Sequence, residues 1–355
     1  MMKYLSVRTA TTLSVLLLLL LSATSGYSLT CPFGSPVCSQ GACTCPVPTV
    51  PPLPSLTNPQ TLTPDGMDDT AKFNNAFALG DLDVQAGTYS ISGEVDIPTG
   101  RNMKCESGAV LFFPESKPTI RAFAIGVRSN SLGNNAVWGC DFEGTDTATD
   151  YSTFTGGTSG YMSMFDVTQS LSGIVQNVLF ENNQMNNSQG DYFITFAGCG
   201  TLTATSWQCN FGAIPPDQSG PQYVYAVNNT FRHCAAAPGV HFNGGQHLLA
   251  QNNTFIDCDA DDEADGNVLQ IIQSYWYNNT LLYLYGAWDA LHGHIVHAQH
   301  TLTGDDLIAE DSSGSQSVSN IINNQRLHEP NGCAGGGGHY SSEILQNGAT
   351  LDTGC

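Results

Sequence analysis

The chain has 355 residues and carries 31 Asp and Glu against 10 Lys and Arg, a formal charge of −21. Such an acid surplus excludes a nucleic-acid partner, whose affinity rests on basic contacts to phosphate. It also opposes unaided binding of a polyanionic sugar unless a bound cation inverts the local charge. The length exceeds the usual single domain, a limit that a repeat architecture escapes because each repeat touches only its neighbours.

At the N-terminus, Lys3 and Arg8 precede an unbroken apolar run from Val15 to Leu21, followed by small residues ending near Gly26. The pattern predicts a signal peptide over residues 1–26, and the run is too short to cross a bilayer core of about 30 Å comfortably. A secreted, extracellular chain with no membrane association after cleavage is expected. Losing Lys3 and Arg8 leaves eight basic residues against 31 acids, a net charge near −23. The twelve cysteines, an even number, suit disulfides in an oxidising compartment. Cys31, Cys38, Cys43 and Cys45 crowd together without a matching Cys/His pair at zinc spacing, which favours small disulfide loops over a metal knuckle. Residues 46–60 are proline-rich and read as a semi-rigid spacer, so residues 27–60 form a Cys/Pro-rich segment and linker.

Next comes Thr63-Pro64-Asp65-Gly66-Met67-Asp68-Asp69-Thr70, leading into Ala71 to Phe77. Asp68, Asp69 or Thr70 can cap a short helix there, with Phe73, Ala76 and Phe77 on one face. Short alternating strands follow at Leu82-Asp83-Val84, Gly87-Thr88-Tyr89-Ser90-Ile91 and Val95-Asp96-Ile97. This order, DG-x-DDT, helix, strand, AGTY, strand, IP, resembles the N-terminal part of pectate-lyase-superfamily β-helices over residues 62–115. The resemblance implies an all-β fold, a right-handed single-stranded parallel β-helix solenoid over 61–355, with the short helix covering its open end. It carries no catalytic residue.

Periodicity supports a repeat fold. After an apolar or aromatic strand the pair Asn-Asn recurs at Asn182, Asn228, Asn252, Asn278 and Asn323, and the first and last intervals are nearly twice the two between them. One coil fits each short interval, with two coils spanning each long one. Asparagine tolerates the left-handed conformation of a tight turn, so the pairs read as a structural ladder. Asn228, Asn252 and Asn278 also open N-glycosylation sequons, as does Asn186; stacked turns leave little room for a glycan, which favours the ladder. Cys234 and Cys258 occupy the same position relative to their coil's first Asn and are expected to be neighbours. Gly239, Gly266 and Gly293 are equally spaced and open short strands. In that register Asn243, Gln270 and His297 form one polar column, and Asn267 with His294 begins another.

The acids Asp257, Asp259, Asp261, Asp262, Glu263 and Asp265 crowd into one short stretch and form the densest chemical candidate. Three readings stand: a solvated acidic loop, a calcium site at Asp257, Asp259 and Asp261, and an acid/base pair among Asp261, Asp262 and Asp265. The Gly and late Glu of an EF-hand are missing. The chain shares an adjacent Asp-Asp with polygalacturonases, but their Asn-Thr-Asp, Gly-His-Gly and Arg-Ile-Lys motifs are absent. His241, His294 and His297 are further catalytic candidates. Asn243, Asn267, Gln270, Tyr285, Trp288 and Asp289 are candidates for substrate binding, the aromatic ones as sugar-stacking platforms. Beyond residue 115 the only basic residues are Lys117, Arg121, Arg128, Arg232 and Arg326, so β-elimination would need His or Tyr as base. The expectation is a secreted, monomeric glycoside hydrolase or polysaccharide lyase with polysaccharide as partner and Ca²⁺ as the one candidate cofactor. The alternative is a non-catalytic, carbohydrate-binding surface protein of the same fold.

Overall fold

The computed structural model describes residues 37–39, 42–44, 49–114, 121–126, 131–144, 163–168, 173–188, 192–197, 221–234, 240–243, 245–258, 262–264, 271–282, 287–290 and 293–298, and the short strands at 301–303, 307–311, 316–318, 321–323, 326–328, 339–341, 344–346 and 350–352. The chain divides into two units, Met1–Val47 and Pro48–Cys355. In the first, Val37–Ser39 pairs antiparallel with Ala42–Thr44, and Cys38 stands opposite Cys43.

The second unit is a right-handed parallel β-helix. Among the described residues its strands form three parallel sheets of eleven, ten and ten strands, which the chain visits in turn from Leu82 onward. We call them the first, second and third sheets in that order. The hand is the one that right-twisted strands impose on parallel crossovers. The first sheet already begins at Gln60–Leu62, which pairs with Leu82–Val84. Just before it, the Thr57 amide donates to Asp81 Oδ2 at 2.6 Å. Thr57, near the end of the proline-rich stretch, is thus tied to the first coil of the solenoid.

Helix α1 (Thr70–Leu79) buries Phe73, Ala76 and Phe77, the face its sequence spacing predicts. The Phe73 ring meets Tyr89 edge-on at 5.6 Å and Phe123 at 6.2 Å. Tyr89, from the AGTY stretch, is fully buried, and its hydroxyl reaches the Leu62 and Gln85 carbonyls at 2.7 and 2.9 Å. The N-cap position is Asp69, but its side chain makes no cap bond; it is buried and paired with Lys72 at 2.6 Å. Asp68 does the capping instead. Its carboxylate accepts from the Thr70 amide at 3.1 Å, the Thr70 hydroxyl at 2.7 Å and the Ser92 hydroxyl. Burial works to raise the Asp68 pKa, but the bonds from Ser92 and Thr70 outweigh it and hold the carboxyl well below the usual range.

A depressed carboxylate pKa contributes stability above the ordinary value of about 3.9 and loses it as pH falls towards the folded value. The thermal midpoint of the wild type should therefore drop below about pH 4 more steeply than that of Asp68→Asn. Parallel midpoint-against-pH curves for the two proteins down to acid would refute this role for Asp68.

The interior is built from columns of apolar residues in register. On the second sheet Leu111, Phe142, Met185, Phe231 and Phe255 follow one another coil by coil, all fully buried. Phe231 and Phe255 stack with centroids 4.8 Å apart and planes 9° from parallel.

Between the first and second sheets runs an asparagine ladder, and it divides labour within each Asn-Asn pair. The second asparagine is the buried one: Asn183, Asn229, Asn253 and Asn279 are each about 1% exposed. Backbone amides of Cys140, Asn183, Asn229 and Asn253 donate to the Oδ1 of the next coil's asparagine at 2.8–3.1 Å. Each Nδ2 reaches back to a carbonyl, as from Asn229 to Phe180 and Asn253 to Ala226. The first asparagine, Asn182, Asn228, Asn252 or Asn278, takes φ of 54–57° and is exposed. One coil earlier Gly139 holds the same register position with φ 72°. A Cβ there would lie 3.0 Å from the Cys105 carbonyl oxygen. The Cys105–Cys140 disulfide closes this end of the ladder, with Cα atoms 4.8 Å apart.

Two expectations about register need correcting. The long interval between Asn182 and Asn228 holds one coil, because Gln176–Glu181 pairs directly with Gln222–Val227. Asn323 is no ladder residue: it ends strand Ile321–Asn323 of the second sheet and pairs with Thr303 and Gln346. In the two short intervals the register is as expected, and Cys234 stands opposite Cys258 on adjacent strands.

Candidate functional site

On the third sheet, one register position brings polar residues together from consecutive coils. Asp166 pairs with Thr195, Thr195 with His241, and His241 with Glu263. Glu263 then pairs with Asp289, and Asp289 with Glu310. Partners in such a row lie about 4.8 Å apart across neighbouring strands. The row alternates with two others, one containing Phe123 and Val240 and one containing Ile125 and Val167, all four buried. Three acidic residues, Glu263, Asp289 and Glu310, thus share one position on three consecutive strands. Like charges at directly opposite positions of neighbouring strands are destabilising.

The residues singled out in the sequence distribute as follows. His241 and Asp289 belong to this row. Trp288 precedes Asp289 in strand Ala287–Ala290 and pairs with Ala309. Asn243 ends strand Val240–Asn243 and pairs with Ala197. Asp262 pairs with Val240, so it stands in the register of a buried row, and Glu263 rather than Asp262 joins His241. Strand alternation separates neighbours in sequence onto different rows.

His294 and His297 lie elsewhere. Strand Gly293–Ala298 belongs to the first sheet, where His297 pairs with Trp276 and Ser317. The column of Asn243, Gln270 and His297 is therefore not formed. Equal glycine spacing fails because coils differ in length. Along the first sheet the coil from Leu249 to its partner Tyr275 is longer than the one before it, from Val224 to Leu248, and longer than the one after it, from Tyr275 to Val296. Asp257 lies in strand Thr254–Cys258 of the second sheet. Asp259, Asp261, Asp265, Asn267, Gln270 and Tyr285 lie outside the described residues. Among the described residues no group of three or more His, Cys, Asp or Glu side chains could hold a metal ion.

The sequence reading missed Glu310 and Asp166, which sit in no dense motif. The signal that finds them is register, one step per coil from Glu263 to Asp289 and on to Glu310, over coils of unequal length. It also missed a second carboxylate pair, Asp141 and Glu143, on the second sheet. Burial, and then the Glu143 charge, pushes the Asp141 carboxyl up, while the Asn186 amide, 3.0 Å away, works against both. Asn187 donates to Glu143. With both carboxyls held by asparagines of the next coil, this pair ties coils together.

No family model matches the chain, and no curated relative matches it. Solved structures similar to it include a polygalacturonase from Erwinia carotovora ssp. carotovora, at 12% identity over 80% of each chain with a TM-score of 0.48. The Streptococcus pneumoniae surface protein and adhesin PfbA is 12% identical, over 81% of this chain and 95% of its own, with a TM-score of 0.46. The Agl-KA catalytic domain is 14% identical, over 86% of this chain and 70% of its own, with a TM-score of 0.36. The likeness is one of chain path.

Proposed function

We propose that the protein is a secreted, monomeric polysaccharide-active enzyme whose chemistry resides in the acidic row of the third sheet. The observation that carries this reading is the stacking of His241, Glu263, Asp289 and Glu310 at one register position. The row alternates with two rows that contain buried apolar residues, which is the register of polar positions on the side of a sheet away from its core. One strand spacing is close to the ~5–5.5 Å between carboxyls of a retaining glycosidase, and two spacings approach the ~6.5–9.5 Å of an inverting one. In a glycosidase pair one carboxylic acid protonates the leaving oxygen while its neighbour stays ionised, and the row offers three acids for these two roles. Hydrolysis needs only these acids; β-elimination would need His241 as base. Ca²⁺ at Asp257, Asp259 and Asp261 would serve an acidic substrate.

The test is an assay of reducing ends and unsaturated products on a panel of neutral and acidic polysaccharides, with and without Ca²⁺. Turnover of at least one polysaccharide is expected. Asp289→Asn and Glu263→Gln should each lower kcat about 10²–10⁴-fold, the usual size of an acid/base contribution, with sugar binding retained. Binding without turnover by the wild type would assign the protein to carbohydrate recognition instead. Undiminished turnover in both variants would remove the row from the chemistry.

A further inference from the structure

The exposed half of the asparagine ladder points to a modification that the solenoid is built to tolerate. In Asn228-Asn229-Thr230, Asn252-Asn253-Thr254 and Asn278-Asn279-Thr280, the acceptor asparagine of each sequon is the exposed one, with φ of 54–57°. The middle residue is the buried one. It carries the backbone-satisfying bonds between coils, through Asn229, Asn253 and Asn279. The hydroxyl residues Thr230, Thr254 and Thr280 pair in register at the start of consecutive second-sheet strands. Structure and sequon therefore use different side chains of the same tripeptide. Two of the acceptor amides bond sideways along the edge: Asn278 Nδ2 donates to Asn252 Oδ1 at 2.8 Å, and Asn228 Nδ2 to Glu181 at 3.4 Å.

We infer that Asn228, Asn252 and Asn278 are N-glycan acceptors. The donor is a lipid-diphosphate-linked oligosaccharide of the secretory pathway. The Nδ2 of asparagine loses one proton and forms a bond to the anomeric carbon of the first sugar, the bond from that carbon to phosphate oxygen breaks, and the lipid diphosphate leaves with the bonding electrons. Replacing one amide hydrogen in this way leaves the buried ladder bonds in place. Neighbouring acceptors lie about one strand spacing of 4.8 Å apart, so the alternate positions Asn228 and Asn278 are occupied even where Asn252 between them is not. The glycans would clothe the turn between the first and second sheets, the edge that the third sheet does not border, and so leave the acidic row open.

The fourth sequon, at Asn186, is built differently and serves as an internal contrast. Asn186 is half-buried within strand Gln184–Ser188, and its Nδ2 donates to Asp141 at 3.0 Å. A glycan there would break a bond between coils.

The inference rests on the export reading of residues 1–26 and is independent of the catalytic row. The full chain is expressed in a glycosylating eukaryotic secretory host, and the protein in the medium is weighed before and after treatment with an N-glycan amidase. The expected result is a loss of mass equal to two or three glycans, with Asn→Asp conversion at Asn228 and Asn278 and none at Asn186. The triple variant Thr230→Ala, Thr254→Ala, Thr280→Ala should lose the whole shift, and the corresponding Thr→Ser variants should keep it. These substitutions leave the left-handed asparagines untouched, and a circular dichroism spectrum like the wild type's checks that the variants fold. Secreted protein with no mass change, or with conversion confined to Asn186, overturns the inference alone. A chain retained with residues 1–26 intact overturns it together with the export reading.

Discussion

Asn253→Ala should lower the unfolding free energy by about 2–6 kcal/mol, because it strips two buried backbone groups of partners worth about 1–3 kcal/mol each. The Asn229 amide loses its acceptor at 2.9 Å, and the Ala226 carbonyl loses its donor, also at 2.9 Å. No water reaches a site about 1% exposed to replace either of them. The exposed neighbour gives the contrast. Asn252→Ala removes no buried bond and costs only about 1–2 kcal/mol for holding an alanine in the left-handed region. Urea denaturation of the two variants side by side measures the difference, with midpoints compared at unchanged slope. Equal losses, or a larger loss at Asn252, would show that the ladder does not depend on its buried amides.

That asymmetry also marks the limit of what the sequence discloses. The recurrence of Asn-Asn locates the turn, because asparagine is favoured wherever a stacked turn needs positive φ. It does not tell which asparagine of the pair enters the core. The answer depends on the backbone: the residue in the left-handed conformation turns outward, and only the residue after it can reach both neighbouring coils. Hence the conflict between ladder and sequon that the sequence poses has no counterpart in the structure, where Asn252 is exposed and Asn253 is buried.

The first coils were the most legible. The spacing of Phe73, Ala76 and Phe77 predicts a helix face, and the structure buries those three residues. Leu82–Val84 and Gly87–Ser90 are strands where alternation predicts them. Further along, the reading depends on coil length, and coil length is set by excursions between strands that leave no periodic trace. The long coil from Asn182 to Asn228 reads as two coils of ordinary size. Counting a constant interval between glycines reaches the third sheet at Val240 but the first sheet at Gly293.

The same cause shaped the candidate site. Density points to the acids from Asp257 to Asp265, whereas the fold draws one residue per coil, and of the described members of that cluster Glu263 shares a row with His241. Asp289 was noted for its neighbours Tyr285 and Trp288, and register gives it a different reason, its place between Glu263 and Glu310. A residue such as Glu310 has no local signature at all. Its position has meaning only once the coils are laid side by side.

Phe123→Ala tests how the N-terminal cap is held, and a loss of about 3–5 kcal/mol is expected for removing a fully buried phenylalanine. Phe123 is 0% exposed, and its ring meets Phe73 of α1 at 6.2 Å, Phe113 at 6.0 Å and Phe142 at 5.9 Å. It therefore joins the capping helix, the second sheet and the third sheet at one point. In a solenoid each coil contacts only its neighbours, so the damage should be local. Amide exchange ought to accelerate in α1 and in the strands at Gly87–Ser90 and Val95–Asp96, while the ladder from Asn229 to Asn279 keeps its protection. Phe123→Leu, which keeps most of the volume, should cost clearly less than the alanine variant. Uniform acceleration along the whole chain would mean that the solenoid unfolds as one unit and that α1 is more than a local lid.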